Sequence, residues 1–455
     1  MDTIALLSHT SPTAIVAYRS GLPVTAAAFL DDANQVARGL SGGKHVLNIC
    51  ADRYQFTVGL AACLMSERVS LLPSTHTPQV IAQLKVFAPD ACCLTDDARC
   101  DIELPQIYYP DLFSRPAPES RAKLPFDVPR IPCAQLAAIV FTSGSTGMPV
   151  PYKKTWGLLA HCVQNGAPRL GLLDGRSHAL VGTVPGQHMY GFESTVLLAL
   201  LSGNALSAER PFYPADVAAA VQRVPRPRVL VTTPIHLRTL LTSAVEFPAV
   251  DLVMSATAPL SGELAREVEE TYRTPLLEIY GSTETGQIAM RRTAETATWR
   301  LWPGVHLSIS NDQVYAQGGH VEQLTPMCDV IEITGENEFL LHGRTADLVN
   351  VAGKRSSFGY LNAQLNGIPG VIDGAFFLRE ETTGSTGVAR LAAVVVAPGM
   401  SVAALTEQLR QRVDPVFLPR PLLIVQQLPR NSTGKLPQQA LQGFADEQLR
   451  IDESQ

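Results

Sequence analysis

The chain has 455 residues, too many for one ordinary hydrophobic core, so two or more domains are expected. Its 46% hydrophobic and 17% charged residues describe a globular protein, and a formal net charge of −6 gives no reason to invoke nucleic acid or an anionic membrane as partner. Eight cysteines without a CxxC pair, mostly in apolar surroundings, predict reduced thiols in a cytoplasmic protein and speak against a metal site.

The N-terminal stretch MDTIALLSHTSPTAIVAYRSG has no basic segment before an apolar core and no apolar run of membrane length, so neither secretion nor membrane insertion is expected. Residues 24–40 predict a helix with Ala27, Leu30, Val36 and Leu40 on one face, and residues 45–50 a strand. Gly39 to Gly43 matches the GxSxG pattern of hydrolase nucleophile elbows. It ends a helix and enters a strand, the reverse of what that elbow needs, so it reads as a helix C-cap. Helices at 57–66 and 78–87 and strands at 69–72 and 91–94 continue an alternation that favours parallel sheets covered by helices. Residues 101–133, rich in Pro and charge, read as a surface connection.

The apolar run 136–140 predicts a buried strand, and Phe141 to Gly147, FTSGSTG, a loop leaving its end. Glycines and short hydroxyl residues in succession present backbone N–H and O–H donors without bulk, which polyphosphate oxygens need, so the loop is a candidate phosphate clasp. It is not a GxxxxGK[ST] loop, a pattern absent from the whole chain. Beyond it, a helix is expected at 156–163, strands at 179–183, 229–233 and 252–256, and helices starting at Pro234 and Pro259. Short strands fill 291–330. A smaller α+β unit follows, with helices at 359–366 and 401–412, strands at 374–379, 390–396 and 421–427, and a polar C-terminus expected to fray.

Three further motifs follow the clasp: YGSTETG at 280–286, GRTADL at 343–348 and NSTGK at 431–435. In this order the set resembles the adenylate-forming superfamily of acyl-CoA synthetases, aryl acid ligases and nonribosomal peptide adenylation domains. The resemblance spans roughly residues 25 to 440. It implies an α/β fold: a large N-terminal domain, 1–344, of parallel helix-covered sheets plus a small barrel-like sheet, and a smaller mobile α+β domain, 345–455.

The resemblance also implies roles. Thr142, Ser143, Gly144, Ser145, Thr146 and Gly147 would hold the β- and γ-phosphates of ATP. The segment ATAPLS at 256–261, with Ala258, would pack on one face of adenine, and Tyr280 would cover the other by aromatic stacking. Gly281, Ser282 and Thr283 continue that nucleotide loop, and Glu284, a carboxylate beside phosphate, would ligate Mg²⁺. Asp329 would bond the ribose hydroxyls, although Met327-Cys328 stands where Thr-Gly is usual. Arg344 would reach the ribose or α-phosphate. His188, in PGQHMYG, would gate a carboxylic-acid pocket lined also by Phe192, Thr257 and Gly281; the alternative is a histidine that caps a helix. Gly353 would border the thiol channel, Ala346 and Asp347 would occupy the hinge, and Lys435 would be the catalytic lysine. Val150 departs from the lysine usual after the clasp proline, leaving Lys153, Lys154 or backbone donors to supply the lost charge.

The implied reaction is ATP-dependent activation of a carboxylic acid to an acyl-adenylate, followed by transfer to a thiol. The preferred acceptor is the phosphopantetheine of an acyl carrier protein, met near Arg410, Arg412, Arg420 and Arg430; the alternatives are free CoA and a non-catalytic nucleotide-binding homologue. The clasp SerThrGlyMetProValPro, followed by LysLysThrTrp, looks similar to stand-alone bacterial ligases of pigment and polyketide pathways, including the xanthomonadin type that activates hydroxybenzoate.

Overall fold

The computed structural model describes residues 2–73, 75–113, 126–143, 149–311, 313–344, 348–351, 354–380, 389–431 and 436–452. Two large sheets dominate. The first has six strands in the order Pro149–Thr155, Leu136–Ser143, Val69–Leu72, His45–Asn48, Cys92–Thr95 and Gln106–Tyr108, all parallel except its first pair. The second has eleven strands. Its centre is parallel, running from Leu276–Ser282 through Leu252–Ser255, Arg228–Thr232, Ala179–Gly182 and Ala205–Ser207 to Ile15–Arg19. Antiparallel strands extend both of its edges.

The parallel strands read as continuous apolar runs because both faces are covered. Val69–Leu72, Cys92–Thr95 and Leu252–Ser255 are buried at every residue. Between the two sheets lies the helix Arg53–Met65, which packs on strands of both and is buried nearly all round. It begins earlier than the sequence suggests, because the Asp52 carboxylate accepts from Gln55 N and caps it. The helices Ala26–Gly39 and Pro78–Phe87 start on Thr25 and Thr77 in the same way. The GxSxG segment is the end of the first of these, as expected.

Several expectations are corrected. The residues after the clasp, for which no element was expected, form a strand, Pro149–Thr155, antiparallel to Leu136–Ser143. The helix after Pro259 starts later, at Gly262, capped by Ser261 Oγ. The connection 101–133 holds a parallel edge strand, Gln106–Tyr108, and a strand, Arg130–Pro132, paired with Thr3–Ala5. The C-terminus is not a frayed tail up to residue 452 but a helix, Gln438–Asp452, anchored by Leu441 and Ala445.

The small sheet between the two halves is three-stranded: His306–Ser310, Gln313–Gly318 and Val321–Pro326. Beyond it, Asp373–Glu380, Ala389–Val396 and Leu422–Ile424 form another three-stranded sheet, flanked by Phe358–Asn366 and Val402–Arg410. Its apolar clusters draw on residues 349–445 alone, whereas the clusters of the large sheets draw on residues 4–341. Among the described residues no helix is long and apolar enough to cross a membrane.

Candidate active site

The C-terminal ends of parallel strands, where loops cluster and backbone N–H groups point outward, are the ligand-binding edge of an open α/β sheet. The YGSTETG segment, 280–286, lies at such an end. The strand Leu276–Ser282 carries Tyr280 and Gly281 and turns through residues 283–285 into Gly286–Arg291. The turn is closed by its own side chains: Ser282 N donates to Thr285 Oγ1 at 3.2 Å, and Thr285 N to Ser282 Oγ at 3.2 Å. Glu284 therefore stands half-buried at the tip of a rigid hairpin. Gly281 and Gly286 are required by space, since a Cβ on Gly281 would lie 2.2 Å from Gly286 O.

The Tyr280 ring leans on Trp299 and Phe339, with centroids 5.4 and 5.5 Å away, and its hydroxyl donates to Asp329 Oδ2 at 2.6 Å. Asp329 faces Arg344 across the antiparallel register of Asp329–Gly335 and Glu338–Arg344. Two residues assigned to the ribose thus sit opposite one another on the backbone. The segment 256–261 is fixed from beneath by buried Glu278, which accepts from Leu260 N at 3.0 Å, Arg291 Nε at 2.7 Å and Thr293 Oγ1 at 2.6 Å. Within it Thr257 adopts φ +79°, a left-handed conformation that a β-branched residue takes only under tertiary constraint. Ala258 follows it, half-buried.

His188 is the N-cap of the next helical segment, its ring Nδ1 accepting from Tyr190 N at 3.3 Å, which is the capping alternative. Phe192 is fully buried with its ring edge-on to Phe56 at 6.3 Å, so it packs into the core. It opens a π-helix, Phe192–Leu197, a distortion frequent at functional sites. Thr142 lies half-buried near the clasp end of its strand. The clasp residues Gly144, Ser145, Thr146 and Gly147, the hinge pair Ala346 and Asp347, Gly353 and Lys435 lie outside the described residues, as do the side chains of Ser143 and Arg344.

Three residues that sequence reasoning passed over or left open complete the neighbourhood. Arg53, 2% exposed, donates to the carbonyls of Gly182, Val184, Ser207 and Glu209, tying the central helix to the ends of two adjacent strands, one of which leads into the His188 loop. Burial, helped by nearby Arg210 and opposed by Asp52, pulls its pKa down to about 10. Lys154 is buried, and its Nζ donates to the backbone carbonyl of Glu284 at 2.9 Å. Glu193, on the π-helix, is buried beside Lys154 and accepts from Cys162 Sγ at 3.3 Å. Burial pushes its carboxyl up to about 7, and Lys154 opposes that rise. The alternation of the post-clasp residues was the available signal for Lys154. A lone Arg53 or Glu193 in an apolar helix gave none.

A model of the AMP-binding enzyme family matches residues 7–316. The chain belongs to that family. Among similar proteins, a 4-coumarate–CoA ligase of Rhodobacter capsulatus is 32% identical over 277 residues, 61% of this chain and 67% of the relative. A 4-coumarate–CoA ligase of Halorhodospira halophila is 30% identical over 306 residues, 65% of this chain and 73% of the relative. Of solved structures, the o-succinylbenzoate CoA synthetase of Bacillus subtilis with its acyl-adenylate intermediate superposes with TM-score 0.80 at 17% identity, over 96% of this chain and 98% of that one. An anthranilate CoA ligase bound to anthranoyl-AMP gives 0.79 at 14% identity, over 96% and 94%. These likenesses show that this AMP-binding enzyme has the α/β fold of adenylate-forming enzymes.

The donors present fit a magnesium nucleotide. Glu284 could offer a hard carboxylate oxygen at a hairpin tip, and Asp329, oriented by the Tyr280 hydroxyl, could offer a second carboxylate to a sugar hydroxyl.

Proposed function

We propose that this AMP-binding enzyme is an acid–thiol ligase that activates an aromatic carboxylic acid as its adenylate and passes the acyl group to free CoA. The observation that carries the nucleotide half is the junction of Tyr280, Asp329 and the Glu284 hairpin at the C-terminal edge of the parallel sheet. The acyl acceptor is argued from likeness: the 4-coumarate–CoA ligases of two bacteria are 32% and 30% identical to it over 277 and 306 residues. A carrier protein is the weaker reading, because Arg430, one of the four basic residues that would greet it, is paired with Asp373 at 2.6 Å. Arg410 lies 3.2 Å from Glu407.

In this reading the substrate carboxylate attacks the α-phosphorus of ATP and pyrophosphate leaves. The thiol then adds to the acyl carbonyl and AMP leaves. Positioning and charge stabilisation do most of the work. Asp329 would hold the ribose, Tyr280 would aim Asp329 and cover the base, the clasp from Thr142 to Gly147 would receive the terminal phosphates, and Glu284 would hold Mg²⁺, which when bound would supply charge neutralisation at the phosphate oxygens. Lys435 bridges the carboxylate and α-phosphate from a C-terminal domain, 345–455, that rotates against a core of residues 1–344. His188 and the π-helix border the acid pocket.

The test is pyrophosphate release with a panel of hydroxybenzoates, cinnamates and fatty acids, each with CoA and with a phosphopantetheinyl carrier. We expect turnover with an aryl acid and CoA. Turnover with fatty acids alone, or with a carrier in strong preference to CoA, overturns the corresponding half of the proposal.

A further inference from the structure

The strand Pro149–Thr155 alternates its side chains, which places Val150, Tyr152 and Lys154 on one face. Val150, where the family resemblance leads one to expect lysine, is 40% exposed and contributes no charge. Two and four residues on, the same face meets the Glu284 hairpin twice. The Tyr152 phenol lies close enough to Glu284 to feel its charge, and Lys154 Nζ donates to the Glu284 backbone carbonyl at 2.9 Å. Lys154 is 6% exposed, so its ammonium does not reach out to a phosphate; it is directed at the underside of the turn.

The surroundings explain why a lysine is tolerated there. Glu193 from the π-helix and Cys162 from the helix Trp156–Arg169 lie within electrostatic reach of Lys154, as does His320 after the strand Gln313–Gly318. Burial disfavours the Lys154 ammonium, and Glu193, Cys162 and Glu284 together oppose that cost. Gly286 leaves room for this arrangement, since a Cβ there would come within 2.7 Å of Glu193 Oε1.

We propose that Tyr152 and Lys154 are positioning residues that grip Glu284 from two sides, the lysine fixing its backbone and the phenol aiming its carboxylate. The charge missing at Val150 then acts through the metal-binding hairpin instead of on the phosphates directly. This inference rests on Glu284 being the Mg²⁺ ligand. Groups that orient a metal-binding carboxylate affect metal affinity or activity by about 10 to 100-fold when removed.

The experiment measures ATP affinity by calorimetry with Mg²⁺ and with chelator, in wild type, Tyr152→Phe, Lys154→Met, Lys154→Arg and Glu284→Gln. The ratio of the two affinities is the metal-dependent gain. We expect that gain to shrink roughly tenfold in Tyr152→Phe and Lys154→Met, with metal-free ATP binding changed less than about twofold, and Lys154→Arg to recover most of it. Pyrophosphate release should fall in parallel, more than thioester formation from supplied acyl-adenylate. An undiminished gain in both variants, or equal losses with and without metal, overturns the grip while leaving the Glu284 assignment standing if Glu284→Gln still abolishes the gain. An undiminished gain in Glu284→Gln overturns both. Tyr152→Phe, which removes a single oxygen, keeps the test decisive if Lys154→Met does not fold.

Discussion

The Tyr280 hydroxyl donates to Asp329 Oδ2 at 2.6 Å, joining two residues 49 positions apart in the sequence. One bond thereby orients the proposed ribose carboxylate from the side chain proposed to cover the base. The ring is held in turn by Trp299 and Phe339, which stack with planes 10° apart, and Arg291 lies 4.4 Å over Trp299. In the proposed reading, nucleotide recognition would depend on antiparallel strands that extend the large sheet.

Tyr280→Phe removes that bond and leaves the ring in place. A hydrogen bond to a charged group is worth about 1.5–3 kcal/mol, so KM for ATP is expected to rise about tenfold or more, with KM for the acid changed less than about twofold. Steady-state kinetics with each substrate varied in turn checks this. Equal rises in both constants would point to a general disturbance of the site instead.

Lys435→Ala should lower adenylate formation by about 10² to 10³-fold, the scale for losing one preorganised charge donor. Thioester formation from supplied acyl-adenylate and CoA should survive, because the lysine acts in the first half-reaction. Comparing the two half-reactions on one preparation makes the check independent of protein yield. Retention of near-normal adenylation would remove Lys435 from its role.

Gly286→Ala should destabilise the fold by about 1–3 kcal/mol, since the backbone there has φ +72° and the new methyl meets Glu193. Chemical denaturation measures the loss. In a Glu193→Ala background the same substitution should cost less, because the collision is relieved and the backbone strain alone remains. Identical costs in the two backgrounds would mean that the contact with Glu193 is immaterial.

His236, buried in the helix Pro234–Thr242 against Phe212 and bonded to Thr233 Oγ1 at 2.8 Å, has its pKa lowered by burial from 6.5 to about 4. Between those values the unfolded chain binds a proton that the folded one does not. The stability this residue contributes is therefore present above pH 6.5 and lost as pH falls toward 4, on the order of 3 kcal/mol at most. Thermal melts from pH 7 to 4 should show a shallower acid decline for His236→Gln than for wild type. Parallel curves would refute the assignment.

Much of this protein was legible in the sequence alone. The apolar strand runs, the alternation of helix and strand signals and the four ordered motifs gave the α/β pattern and the family resemblance, because period and motif spacing are local properties. Boundaries failed where a local signal was masked. The central helix is apolar all round, so periodicity could not mark its start at Arg53, and the strand Pro149–Thr155 contains two prolines and two lysines that a pattern reading discounts. That strand is tolerated at the sheet's edge, where a missing N–H leaves no ladder bond broken.

Tertiary structure alone decided which residues meet. Tyr280 and Asp329, Lys154 and Glu284, and Glu193 and Gly286 come together across separations of 49, 130 and 93 residues through strand register and helix packing. The identity of a residue carries no record of such a partner. Arg53 shows this most plainly: as sequence it is one arginine before an apolar helix, and only burial among four carbonyls from two strand ends makes it the brace of the site. Composition and spacing set what chemistry the chain can perform, and packing sets which atoms are close enough to perform it, because charge and hydrogen-bond interactions act over a few ångströms.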